Sequence, residues 1–379
     1  MLEPCPAINK NNAEWVSRRA GWLAALTIAL LGCADKAAES DAVAAPHATP
    51  AKVYQWKIIT TWPKFLPGAG MSAENLAERL RVMSDGRLDI RVYGAGELVG
   101  AFEVFDAVSA GTAEMGHGAA YYWRGKMPIA PLFTAIPFGM TAQEVNAWLR
   151  YGGGLELWRE LYAPFNVVPF AAGNTGVQMA GWFNEEINAL EDLAGLKMRI
   201  PGLGGEVLER SGGVPVTIPG GEVFTALQTG VIDATEWVGP YNDLALGLYS
   251  AGRYYYYPGW HEPGAVLELI VNRQAFEALP ADLQAMVATT AQAINDDTLS
   301  DYTARSVAAL ETLEREHDVL VRPLPDEVIG KLREASLQVV AEAAGEDELS
   351  QRIYASYTGF MNGVRRYTEL TEKAYLETR

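Results

Sequence analysis

The chain has 379 residues, 49% of them hydrophobic, and sets 30 Lys and Arg against 47 Asp and Glu for a formal net charge of −17. That length suggests about two domains at roughly 150 residues each, with ample apolar material for a packed core. So acidic a chain repels nucleic acid and anionic membrane surfaces, which argues against nucleic acid as a partner, yet one Arg at contact distance still suffices to hold a small anion.

Lys10, Arg18 and Arg19 precede the apolar run GWLAALTIALLGC at 21–33. The run is too short for a bilayer, which takes about 20 residues, and it has the form of a signal peptide with a basic leader. LLGC, Leu30 to Cys33, resembles a lipobox. Cleavage before Cys33 makes 1–32 a signal peptide and leaves a lipidated thiol that anchors a periplasmic protein; a plain secretory signal is the alternative. Cys5 and Cys33 are the only cysteines, and Cys5 departs with the signal, so the mature chain has no internal disulfide. Residues 33–52 are Ala-rich and polar without apolar periodicity, and read as a flexible tether.

The folded part starts near Val53 with the strand candidate VYQWKIITTW. Ser72 is placed to cap a helix that runs to about Ser84 and stops at Gly86, and RLDIRVY at 87–93 alternates as a half-buried strand does. A helix over 102–110, a short strand near AEMGHGAAYY and a helix after Thr141 follow, the last with capping-box spacing between Thr141 and Glu144. Later come the strands NVVPFA, LKMRIPG, AVLELIVNR and DVLVRPL, and helices over 280–317, 326–344 and 347–377, the last packing on the body or reaching a partner subunit. Strands alternating with helices give an α/β architecture.

One internal repeat stands out. EVFDAVSAGTAEM at 103–115 matches EVFTALQTGVIDA at 222–234, with Glu, Val, Phe, Ala and Gly shared in the first nine positions and an acid three residues past the Gly, Glu114 or Asp233. Each copy is an amphipathic helix, a Gly stop and an immediate strand. Two lobes of similar build around a cleft are expected: 53–174 with about 266–300, and 175–265 with about 301–379, the C-terminal helices included.

Catalytic signatures are sparse: no G-x-S-x-G, H-E-x-x-H, C-x-x-C or P-loop occurs. His117 and His261 lie in Gly-rich turns, where a lone His is more often a structural hydrogen-bonding residue than a base. Aromatics at strand ends, YYW at 121–123, Trp182, Trp237 and YYYYPGW at 254–260, either cap a core or converge as an apolar box for a ligand. Asn174 and Gln178 follow NVVPFA, with Asn174 readable as a left-handed turn residue. Arg199, between Met198 and Ile200 at a strand end, needs either a structural carboxylate or the carboxylate of a ligand. Glu236 and Trp237 end the buried run in GVIDATEWVGPYND, and a buried Glu236 needs a partner.

Together GAAYYWRGKMP, GNTGVQMAGWF, LKMRIPG, GVIDATEWVGPYND and WHEPG resemble the DctP-type solute receptors of tripartite ATP-independent periplasmic (TRAP) transporters, over about 53–370. GNTGVQMAGWF and ATEWVGP are most similar to the TakP-like branch, which binds 2-oxo acids with a metal ion. The resemblance implies a bilobal fold with one long helix crossing both lobes, no enzymatic activity, and delivery of a 2-oxo or 2-hydroxy monocarboxylate to membrane permease subunits. It puts the carboxylate-binding arginine of K-x-R-x-P on Arg199, and the cation, sodium or calcium, on Gln178, Glu236 and Trp237. Tyr121, Tyr122, Asn174, Tyr241, Asn242 and Glu262 match positions near the pocket. A homodimer through the C-terminal helix is a further expectation. The competing readings are an enzyme that acts on a keto acid through Glu236 or His117, and the receptor of an ABC importer.

Overall fold

The computed structural model describes residues 52–379; the expected signal peptide at 1–32, Cys33 and the expected tether up to residue 51 lie outside the described residues. Eleven strands are described: β1 (Tyr54–Thr60), β2 (Leu88–Tyr93), β3 (Met115–Gly118), β4 (Val167–Asn174), β5 (Gly181–Phe183), β6 (Lys197–Arg199), β7 (Val214–Val216), β8 (Ala234–Thr235), β9 (Tyr254–Tyr257), β10 (Val266–Asn272) and β11 (Leu320–Pro323). They form two sheets, a five-stranded one in the order β2-β1-β3-β10-β4 and a six-stranded one in the order β11-β9-β5-β8-β6-β7. β2 keeps its period of two, with Leu88, Ile90 and Val92 buried and Asp89 and Arg91 exposed, as suits an edge strand. β10 is buried at every position, and it lies inside the sheet, antiparallel to both β3 and β4.

Helices cover both sheets, and this is the bilobal α/β architecture expected from the sequence. The helix Ala281–Glu316 has 36 residues, about 54 Å at 1.5 Å per residue. Its first half packs on β4 and on the helix Ala69–Met83, and its second half on the helix Pro240–Ala245, which follows the second sheet's β8. It therefore crosses both lobes.

The repeat has a structural counterpart in each sheet. The helix Val104–Ser109 leads through Gly111 to β3, and the helix Gly220–Gln228 leads through Gly230 to β8. Both glycines turn the chain in the left-handed region, φ 76° and 73°. The repeated acid does the same work twice. Glu114 Oε2 accepts the backbone N–H of Lys57 on β1 at 2.8 Å, and Asp233 Oδ2 accepts that of Lys197 on β6 at 2.9 Å. In each sheet the acid precedes the strand parallel to the one it bonds.

Some expectations need correction. Ser72 is not a cap: the helix begins at Ala69 after Gly68, and the buried Ser72 Oγ bonds the Gly68 carbonyl and Thr298 Oγ1. The Ser84 end and the Thr141–Glu144 capping box are as expected, with Thr141 N–H donating to Glu144 at 2.9 Å. Asn174 ends β4 instead of occupying a left-handed turn; Gly176 takes that conformation, φ 71°. The helix Glu348–Thr368, expected with the second lobe, packs instead on the helices Ala142–Tyr151 and Gly154–Tyr162 beside the first sheet. Tyr357, 1% exposed, carries that packing, its hydroxyl accepting the Met140 N–H.

Candidate functional site

Strand ends from both sheets converge on one cavity. Trp62 follows β1, Tyr121 and Tyr122 follow β3, and Gln178 follows β4; Arg199 ends β6, Trp237 follows β8 and Glu262 follows β9. Ligands of open α/β sheets sit in such a crevice beyond the strand ends. Tyr302 of the long helix closes one wall, its hydroxyl accepting the Ala69 N–H and donating to Asn242 Oδ1, both at 3.1 Å.

The charges here are buried. Arg199 and Glu236 are each 1% exposed and form an ion pair through Nη1. The guanidinium also donates to Tyr122 Oη at 3.3 Å and lies 4.9 Å over the Trp237 ring. Burial is the largest influence on Arg199 and opposes its charge, but Glu236 and, to a smaller extent, Tyr122, Tyr121 and Glu262 together outweigh it and hold the guanidinium protonated. The other Glu236 oxygen faces His261 Nε2 at 3.4 Å. Glu262 is 4% exposed, and ligand atoms of Glu236, His261 and Glu262 lie within 4.8 Å of one another. Burial, and then the nearby Glu236 charge, push the Glu262 carboxyl well above the usual carboxylate range.

Gln178 shows what this cluster lacks. Its Nε2 donates to Glu262 Oε2 at 2.7 Å and to Thr175 Oγ1 at 3.1 Å, while its buried Oε1 has no partner. A buried amide oxygen without a donor costs free energy. Here it stands beside two buried carboxylates with a single guanidinium to balance them. An oxygen-rich, electron-rich pocket of this kind fits a hard cation such as sodium or calcium. Both ring nitrogens of His261 are also buried without a hydrogen-bond partner.

Two glycines let the walls approach. A Cβ on Gly259 would stand 2.1 Å from the Gln178 carbonyl oxygen, and one on Gly220 would stand 2.2 Å from the Trp237 ring. Only a bare backbone fits at either place.

Tyr121, Tyr122, Gln178, Arg199, Trp237 and Glu262 thus line one cavity, with Glu236 directly behind Arg199. Asn174 and Asn242 are buried beside it and brace it. Asn174 Oδ1 accepts the Gly176 N–H at 2.9 Å. Asn242 Oδ1 accepts Trp237 Nε1 at 3.1 Å, and its Nδ2 donates to the Pro67 carbonyl at 2.6 Å. Tyr241 lies outside the cavity, packed on Tyr302 and Arg305. His117 is structural: Trp62 Nε1 donates to its Nδ1 at 2.9 Å, its Nε2 bonds the Ala172 carbonyl at 3.0 Å, and burial pulls its pKa down to about 4. Trp182 and Tyr255 stack in the core, ring centroids 4.1 Å apart. Sequence reasoning missed Trp62, Thr175 and Tyr302 as lining residues, and left His261 out of the site although it precedes Glu262 in WHEPG.

The chain is similar to known proteins over most of its length. The profile of the DctP family, bacterial extracellular solute-binding protein family 7, matches residues 68–347. The monocarboxylate 2-oxoacid-binding periplasmic protein of Nostoc sp. is 41% identical over 353 residues, which cover 93% of this chain and 95% of that one. Crystal structures of TRAP periplasmic solute-binding proteins superpose with a TM-score of 0.84 over 86% of this chain and 100% of theirs: one from Pseudoalteromonas atlantica with bound sodium and pyruvate, 43% identical, and one from Colwellia psychrerythraea with bound calcium and pyruvate, 41% identical. A third, from Bordetella bronchiseptica, is a mixed-occupancy dimer with calcium and picolinate, 38% identical with the same TM-score over 86% of this chain and 97% of that one. These are binding proteins and not enzymes. The chain belongs to the DctP family, family 7 of the bacterial extracellular solute-binding proteins.

Proposed function

We propose that this extracytoplasmic receptor binds a small 2-oxo monocarboxylate such as pyruvate, or its 2-hydroxy counterpart, together with sodium or calcium, and hands it to TRAP permease subunits. The observation that carries the reading is the buried Gln178 Oε1 without a partner, beside Glu236, Glu262 and Arg199. Gln178, Glu236 and the Trp237 backbone would hold the cation, with Glu262 adjoining. The cation supplies a positive centre that a 2-oxo acid chelates through one carboxylate oxygen and the neighbouring oxygen. Arg199 presents a fork to the ligand carboxylate, Tyr122 orients that fork, and Trp62, Tyr121 and Trp237 exclude water. The relatives with bound pyruvate and a cation support this assignment.

The rest of the reading is assigned on the same basis. The lobes divide as the two sheets do, near 174–175 and 265–266. The C-terminal helix mediates a homodimer, in keeping with the Bordetella dimer. Cys33 carries a lipid anchor. The test is calorimetric titration of pyruvate into chelator-treated, sodium-loaded and calcium-loaded protein. Tighter binding with a cation is expected, and one dissociation constant in all three states would remove the cation from the site.

A further inference from the structure

A second cavity lies away from the cleft. It sits where the helices Ala142–Tyr151 and Gly154–Tyr162 meet β4 and the first third of the long helix. Leu149, Phe170, Ala288 and Ala291 give it apolar walls, and Arg150 and Arg159 stand at it. Among the described residues Arg159 is the only arginine with a buried side-chain nitrogen, its Nε, that has no hydrogen-bond partner. Its guanidinium lies 5.4 Å over the Phe170 ring, which fixes its plane but neutralises nothing. The next residue, Glu160, is taken by Arg352 at 2.8 and 3.0 Å. Burial acts against the charge on Arg159, with only the Glu156 carboxylate supporting it from a distance.

This is an odd arrangement in a chain of net charge −17. Carboxylates are plentiful, yet two guanidiniums border an apolar cavity with no carboxylate bonded to either among the described residues. We propose that the cavity is a second binding site, for a small organic anion with an apolar body, such as an aryl or branched-chain carboxylate. Arg159 and Arg150 would take the carboxylate as a charge-assisted pair, and Phe170, Leu149 and the two alanines would take the body. The site adjoins the cleft through polar contacts. Asn146, on the cavity wall, accepts Asn295 Nδ2 at 3.0 Å, and Asn295 Oδ1 accepts the N–H of Gly173 at 3.3 Å, one residue before Asn174.

The test uses benzoate as the probe, titrated calorimetrically into the whole folded protein and into Arg199→Ala. Because Arg199→Ala disables the cleft, benzoate binding that survives in it belongs to the second cavity. Binding is expected to survive there, and to weaken about tenfold or more on adding Arg159→Gln or Arg150→Gln. Arg150 is exposed and its substitution spares the fold, so that arm reads even if Arg159→Gln misfolds. Benzoate that binds all these variants alike, binds only where Arg199 is intact, or does not bind at all overturns the proposal.

Discussion

Arg199 and Glu236 neutralise each other at the ends of neighbouring parallel strands, β6 and β8, where the Glu236 N–H also bonds the Arg199 carbonyl at 3.2 Å. Removing either member strands a buried charge, which costs about 3–5 kcal/mol. Arg199→Ala is therefore expected to lower ligand affinity by roughly two to three and a half decades and to reduce stability as well. Arg199→Lys keeps the charge and loses the fork, so it restores the melting temperature more than the affinity. Calorimetry and thermal unfolding of the two variants check this, and an Arg199→Ala protein that binds pyruvate within threefold of wild type contradicts it.

Glu236 is the point where cation and acid are linked. If the ligand completes the cation's shell, each tightens the other by the same factor, typically about 5- to 150-fold. Glu236→Gln keeps the shape and loses the charge. It is expected to abolish the difference between calcium-loaded and chelated protein, measured as two pyruvate dissociation constants, while pyruvate still binds weakly through Arg199.

One contact beside the cleft is expected to slow release modestly. Arg124, past β3, pairs with Glu206 on the helix Gly202–Arg210 beside the second sheet and donates to the Gly202 carbonyl at 3.0 Å. Both side chains are about a third exposed, and such pairs are worth at most about 1 kcal/mol. Glu206→Ala should speed ligand dissociation by no more than about fivefold and leave the association rate nearly unchanged. Stopped-flow traces of tryptophan fluorescence separate the two rates.

Gly220 is expected to affect ligand binding through Trp237. An alanine there collides with the Trp237 ring, so the indole must tilt and leave its hydrogen bond to Asn242. Gly220→Ala should weaken pyruvate binding at least about tenfold, since a neutral hydrogen bond and a wall of the cavity are lost together. A variant of unchanged affinity would show that the ring has room to move.

Two buried carboxylates outside the candidate site contribute to the pH dependence of stability. Burial, against hydrogen bonds from Trp123 and Tyr162, raises Glu268 to about 7, and burial, against Trp182, Tyr255 and two backbone N–H groups, raises Asp243 to about 6. Both lie above their unfolded values near 4, so the folded chain holds protons that the unfolded chain releases. Their stabilising effect is complete below about pH 4 and is lost as pH rises to about 7. For Glu268, raised to about 7, the loss is on the order of 3 kcal/mol. Glu268→Gln should flatten the fall of melting temperature between about pH 5 and 8, and an unchanged slope would place the titrating group elsewhere.

The elements most legible in the sequence were those with a local cause. β2 alternates, the Thr141–Glu144 box caps its helix, and the 103–115 and 222–234 repeat carries the same acid to the same backbone bond in both sheets. The site residues that could be named sit in short motifs at strand ends. Tyr302 could not be read this way. It is one of many residues on a long helix, and only the crossing of both lobes brings it to the cavity. Ser72 misled for a related reason: its hydroxyl is turned inward to Thr298, a residue more than two hundred positions away. The direct pairing of Glu236 with Arg199 was also hidden, because each residue alone called for a partner and their strands are joined only in the sheet.

The place of β10 bears on how the chain reaches its destination. The first sheet has β10 inserted between β3 and β4, although its other strands are complete by residue 174. Until position 272 of 379 has been supplied, that sheet is two pieces, β2-β1-β3 and a lone β4, each with an unpaired inner edge. A nascent chain therefore cannot finish its first lobe early, whatever its local propensities. Folding of this lobe is therefore expected to wait for most of the chain, a delay that suits a protein whose place of work is outside the cytoplasm.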